Sequence, residues 1–267
     1  MWKEHWPEYA IEAWGLGTFM VSAGIFATLL YGSTSPVPLW IPAPLLRDIL
    51  MGVAMGLTAI GIIYSPWGKR SGAHLNPAVT LAFFRLGKLT RLDALGYVIS
   101  QFIGGSLGVA LVAAIVGNPF TARHPDGLEY IVTEPGNFGW VGAIAAEAIM
   151  SMVMMSMVLT ISNKPRWAHL TGVFAGCLVA IFIVVAAPIS GMSINPARSF
   201  ASAVFAQSWQ FFWIYYFTPP LAMLMAAELY ILLSKKHTTQ ICGKLCPNGE
   251  MPCLCQNPCD ACCPHQE

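Results

Sequence analysis

Charge is what this sequence has least of. Asp, Glu, Lys and Arg make up 10% of its 267 residues, against about 25% in average soluble domains. Residues of hydrophobic type make up 56%, and the formal net charge is +1. So apolar a chain cannot hide its surface in a soluble fold of this length, which leaves a polytopic membrane protein. The near-zero net charge excludes the basic surface that nucleic acid would require. Catalytic signatures are missing too: there is no phosphate-cradling Gly-rich loop, no nucleophile beside a base, and no metal-binding triad within the apolar runs. The chain is therefore not expected to be an enzyme. The opening "MWKEHWP" runs into a long apolar stretch, without a short apolar core and small-residue cleavage site, so no cleavable leader is expected.

What is present is a series of apolar runs of about 20 residues, the length that crosses a hydrocarbon core. Six are expected, at roughly 10–32, 45–65, 93–116, 138–161, 168–188 and 210–233. An even number of spans puts both termini on one side. That side holds Lys3, Lys69, Arg70, Arg85, Lys88, Arg91, Lys164, Arg166, Lys235, Lys236 and Lys244, and the other holds Arg123 and Arg47. The bias of basic residues toward cytoplasmic loops predicts that both termini are cytoplasmic.

One phrase occurs twice. Residues 71–81 read "SGAHLNPAVTL" and residues 190–200 read "SGMSINPARSF". Each copy follows an even-numbered span and precedes the next. Each half of the chain is thus two helices, an Asn-Pro-Ala segment and a third helix. Three spans per half is odd, so the halves insert upside-down relative to each other, as in many transport folds. Glu12, in "EAWGLGTFM", and Glu147, in "EAIMSMVMM", extend the echo. A carboxylate inside a span is costly and calls for buried partners.

Asn-Pro-Ala reads as a helix start. Asn is a favoured N-cap, and Pro suits the first helical position. The apolar segment after each copy is about ten residues long. That gives a helix of about 15 Å, half the thickness of a hydrocarbon core. Two such half-helices, entering from opposite faces, could meet tip to tip. Their N-termini carry partial positive charge, and Asn76 and Asn195 could cap them while still offering amide N–H donors. A passing water or hydroxyl oxygen would be held by donors, whereas a cation or hydronium would meet a positive barrier.

These residues resemble those of the major intrinsic protein family, the aquaporins and aquaglyceroporins. The resemblance covers about 10–233 and rests on both boxes and on "SQFIGG" at residues 100–105. It implies an all-α membrane protein of six transmembrane helices plus two re-entrant half-helices in an inverted repeat. The channel domain would span 1–236, with halves at about 8–117 and 138–236. The resemblance further implies a homotetramer with one pore per subunit. Asn76, Pro77, Ala78, Asn195, Pro196 and Ala197 match the family's pore motifs. Its four-residue selectivity filter maps to Met55, Ile183, Met192 and Arg198.

The filter departs from the family's usual pattern. Water channels carry Phe and His at the two helix positions, where this chain has Met55 and Ile183. Glycerol channels carry aromatics, and no filter aromatic is present here. A filter of two thioethers, an aliphatic and a guanidinium should be less polar than a strict water filter, and at least as wide. Ser199, Ala203, Tyr215 and Tyr216 match water-type members instead. Simpler readings serve elsewhere. Gly104 and Gly108 suit helix packing, and Met150, Met154 and Met157 share a packing face. His74 reads as a hydrogen-bonded structural residue, and Cys177 as a small buried hydrophobe. The polar connection 117–137 either shapes a vestibule or only joins the halves.

Composition changes abruptly after residue 236. The last segment, 237–267, contains Cys242, Cys246, Cys253, Cys255, Cys259, Cys262, Cys263 and His265. Placed in the cytoplasm, these thiols should stay reduced rather than form a disulfide framework. Dense thiolates suit Cu(I), Zn(II) or As(III), and could complete one or two tetrahedral sites. An inert or lipidated tail is the alternative.

Three functions follow. The leading one is a passive channel for water and small uncharged solutes that excludes protons and ions. The second is a metal or metalloid homeostasis protein, passing a soft metal or a neutral metalloid hydroxide to the thiol-rich tail. The third is a non-conducting scaffold with a pore blocked by Met55 and Met192.

Overall fold

The computed structural model describes residues 2–234, 241–245 and 254. Among the described residues, six helices are long and apolar enough to cross a membrane. In chain order these spans are Trp2–Tyr31, Pro44–Tyr64, Arg91–Val116, Gly139–Ser162, Thr171–Ser190 and Phe212–Ser234. The first starts earlier than hydropathy alone indicates, because Pro7 lies within its opening turns and does not break it. Two short helices, Pro77–Arg85 and Pro196–Ala206, follow the second and fifth spans. They are the half-helices expected from the repeated phrase, and the fold is the all-α inverted repeat.

Small residues bring the spans together. A Cβ on Gly104 would lie 2.0 Å from the Ala13 carbonyl oxygen, so spans 1 and 3 touch backbone to backbone. A Cβ on Gly108 would lie 2.5 Å from the Gly17 oxygen. Spans 2 and 5 meet the same way: a Cβ on Gly56 would lie 2.6 Å from the Gly176 oxygen, and the reverse holds for Gly176. Apolar side chains gain little by meeting each other rather than lipid, so close backbone approach is what favours these contacts.

The outer surface is apolar. Ile99, Ile103, Leu107 and Leu111 recur every fourth residue of span 3 and are all exposed, forming a stripe for lipid or a neighbouring copy. Cys177 belongs to this outer surface: it is free and exposed, contrary to the buried position expected for it. The physical reason is that lipid accepts a small thiol as readily as a protein core does. Met150 and Met154 are buried in the central cluster, with Met157 packed against it.

Arg70 pairs with Glu8 at 2.8 Å, and Arg85 with Glu228 at 2.7 Å, both on the face carrying the chain ends. On the other face the Tyr31 hydroxyl donates to Asp48, and Arg47 donates to the Leu30 carbonyl.

Candidate channel site

The two half-helices begin as their sequence dictates. The Asn76 side-chain oxygen accepts from the Ala78 N–H at 2.8 Å. The Asn195 oxygen accepts from Ala197 at 3.1 Å and from Arg198 at 3.3 Å. Pro77 and Pro196 occupy the first helical positions, where no N–H is needed.

The tips are tied to each other. The Asn76 amide nitrogen donates to the Ile194 carbonyl at 2.7 Å, and the Asn195 amide nitrogen donates to the Leu75 carbonyl at 2.8 Å. Each amide has two N–H groups, so each bond across the junction leaves one. Both asparagines line the same cavity.

Below each box lies a buried carboxylate. Glu12 accepts from the Ser71 hydroxyl at 2.7 Å, the His74 N–H at 3.1 Å, the Leu75 N–H at 2.6 Å and the Gln101 amide at 2.8 Å. Glu147 accepts from the Ser190 hydroxyl at 2.8 Å, the Ser193 N–H at 2.9 Å and the Ile194 N–H at 2.6 Å. These are the partners that the sequence demanded for Glu12 and Glu147. The loops reach them through left-handed backbone at Gly72, Ala73 and Leu75, matched by Gly191, Met192 and Ile194. Such conformations are costly for residues with a Cβ, and the carboxylate bonds hold them. In a planar trans peptide the C=O opposes the N–H. The carbonyls of Ala73, His74, Met192 and Ser193 therefore point away from the carboxylates, and all four residues line the cavity.

The cavity has a volume of about 400 Å³. On span 2 it is lined by Asp48, Met51, Met55, Ala59 and Ile63, one helical stripe. From the first to the last is roughly 22 Å of helix, most of a hydrocarbon core's thickness. Span 5 contributes Ala175, Val179, Ile183 and Ala187. Asp48 apart, these stripes are apolar, so only Met55 and Ile183, marked by the family resemblance, stand out in the sequence from lipid-facing residues. Gln101 also went unnoticed as a functional residue, although it sits in "SQFIGG" and donates to both Glu12 and Thr80.

All four residues assigned to the filter, Met55, Ile183, Met192 and Arg198, line this one cavity. Met55 is buried to 1% exposure. The Arg198 guanidinium donates to the Ile131 carbonyl at 3.2 Å. Leu128 and Ile131 line the cavity as well, so the connection 117–137 shapes its mouth and does more than join the halves. His74 is hydrogen-bonded at both ring nitrogens, to the Thr80 hydroxyl at 3.3 Å and the Gly243 carbonyl at 3.2 Å.

The sequence model described as Major intrinsic protein matches residues 10–230. The chain belongs to that family. It is similar to the probable aquaporin AqpM of Archaeoglobus fulgidus, with 35% identity over 70% of this chain and 76% of that one. It is also similar to Aquaporin Z of Photorhabdus laumondii, with 29% identity over 82% and 94%. Among solved structures, the aquaglyceroporin from Plasmodium falciparum superimposes with a TM-score of 0.65. The alignment covers 85% of this chain and 95% of that one at 18% identity, a likeness of fold.

The tail cysteines divide. Cys246, Cys253, Cys255, Cys259, Cys262, Cys263 and His265 lie outside the described residues. Cys242 is described, and it is disulfide-bonded rather than reduced as the tail thiols were expected to be. A disulfide sulfur has no thiolate to give a metal, so in this state Cys242 does not fit the role of ligand assigned to it. Among the described residues no group of three or more potential ligands could hold a metal ion.

Proposed function

We propose that the protein is a passive channel for water and small uncharged solutes and excludes protons and ions. The observation that carries this reading is the junction of the half-helices. Two helix N-termini and two capped asparagines face one cavity, with one amide N–H left on each. A solute oxygen there meets donors, while the backbone carbonyls of the two loops accept its hydrogens. A proton relay would need the central water to act as donor and acceptor in sequence along the file. Two positive helix ends and two amide donors fix it as an acceptor. Arg198 adds a full positive charge at the filter and repels cations.

A specific observation also favours the metalloid reading. Met51, Met55, Met154 and Met192 all line the cavity, and thioethers suit soft species. A neutral metalloid hydroxide fits the positive junction better than a bare cation. The channel domain 1–236 is taken to assemble as a homotetramer, with the exposed stripes covered by lipid and by neighbouring copies. The basic-residue bias supports a cytoplasmic position for both termini.

The test is stopped-flow light scattering on proteoliposomes, with water, glycerol and arsenite as solutes and empty vesicles as the baseline. Water flux above baseline is expected, with no proton leak. Arg198→Ala should raise the permeation of larger or charged solutes; unchanged selectivity would remove Arg198 from the filter.

A further inference from the structure

The segment Ile241 to Leu245 behaves unlike a solvated chain end. Ile241 is 0% exposed, Cys242 1%, Lys244 1% and Leu245 6%. Five groups of the body hold it. The Asn163 side-chain oxygen, just past span 4, accepts from the Cys242 N–H at 2.9 Å. The His74 ring bonds the Gly243 carbonyl. The Gly72 carbonyl accepts from the Leu245 N–H at 3.3 Å. The Lys244 ammonium donates to the carbonyls of Lys69 at 3.2 Å and Arg70 at 2.9 Å.

These contacts are specific. Lysine is almost never fully buried unless paired. Here its ammonium caps the last turn of the short helix Pro66–Ser71, where the carbonyls and the helix dipole favour a cation. Lys244 also packs on Gly72, whose φ is +91°; a Cβ there would lie 3.0 Å from the Lys244 Cγ. Ile241 and Leu245 join the central apolar cluster with Val79, Val158 and Ala175. Leu245 forms part of the cavity wall, together with those three residues and His74. The segment is thus seated where the cavity opens toward the chain ends, against the loop that leads to Asn76.

We propose that residues 241–245 are an autoinhibitory plug: the chain's own tail closes the channel mouth on the face that carries the termini. The proposal rests on the channel reading. Leu245 fills the mouth with Ile241 packed in the apolar cluster beside it, Lys244 latches the segment to the first box loop, and His74 reads the plug through the Gly243 carbonyl. Withdrawal would break the five hydrogen bonds and expose the two apolar side chains, so the closed state is the resting one. A resting equilibrium of this kind leaves the minor state at about 0.1–10%.

The experiment compares three proteins by osmotic water permeability per channel in proteoliposomes. They are the full chain, a chain ending at Gln240, and the full chain carrying Lys244→Gln and Leu245→Ser together. The truncated chain should conduct at least about tenfold faster than the full chain, and the double variant should fall between them. The double variant keeps the tail, so it decides the matter if truncation impairs folding. Equal flux from all three, above empty vesicles, would overturn the plug and leave the channel standing. No flux above empty vesicles from any of them would overturn the channel reading, and the plug with it.

Discussion

The two box loops share a frame and differ in what they present. Each frame has a buried glutamate, left-handed backbone at matching positions and an asparagine cap bonded across to the other loop. Each also has a tyrosine whose hydroxyl bonds the serine carbonyl at the loop's start. Tyr97 donates to Ser71 and Tyr215 to Ser190, both at 2.7 Å. The differences lie beside the asparagines. Two residues before the cap stand His74 and Ser193, and three after it stand Val79 and Arg198. Each loop's distinctive side chain bonds a carbonyl of the segment over its mouth: His74 reaches Gly243 of the tail, and Arg198 reaches Ile131 of the central connection. A duplicated frame positions the pore, and the positions left free by the frame let the two mouths specialise.

The largest effect separates the carboxylates. Glu12→Ala would leave four donors without an acceptor, and Glu147→Ala would leave three. A buried unsatisfied donor costs about 1–3 kcal/mol, a sum comparable to the whole stability of a typical domain. Both variants should lose most folded protein, with Glu12→Ala the worse. Thermal unfolding in detergent checks the order. If Glu147→Ala proves the more damaging, the Gln101 bond to Glu12 carries little.

The caps come next. Removing an asparagine cap costs about 1 kcal/mol. Asn195 accepts from two N–H groups and Asn76 from one, but the Asn195 bonds are longer, at 3.1 and 3.3 Å against 2.8 Å. A shared bond is weaker than two good ones, so Asn195→Ala should exceed Asn76→Ala by only about 0.5 kcal/mol. Comparing the two melting curves tests this. A gap several times larger would mean that the second half-helix depends on its cap for more than these N–H groups.

Much of this architecture is legible in the sequence because water and lipid impose simple rules. Spans follow from apolar length, half-helices from Asn-Pro at their start, and the glutamates from the cost of a carboxylate in a span. The lining residues Met51, Ala59 and Ile63 escape detection because cavity and lipid are both served by apolar side chains, and the exposure of Cys177 escapes for the same reason. The tail escapes differently. Residues 241–245 have no periodicity, and their docking depends on carbonyls of Lys69, Arg70 and Gly72 that no side-chain pattern announces.

The tyrosines give the smallest and sharpest test of the shared frame. Tyr97 and Tyr215 are both fully buried, and each donates one hydrogen bond of equal length to an equivalent carbonyl. Phenylalanine keeps the ring and removes only the donor, so each Tyr→Phe change should cost about 1 kcal/mol. The two sites lie on different spans and share no partner, so the double variant should show the sum to within about 0.5 kcal/mol. The readout is the unfolding midpoint of each single variant and of the double. Equal and additive losses would mean that the two frames bear load alike and independently. A coupling well above that margin would mean that the loops move together, through the Asn76–Ile194 and Asn195–Leu75 bonds that join them.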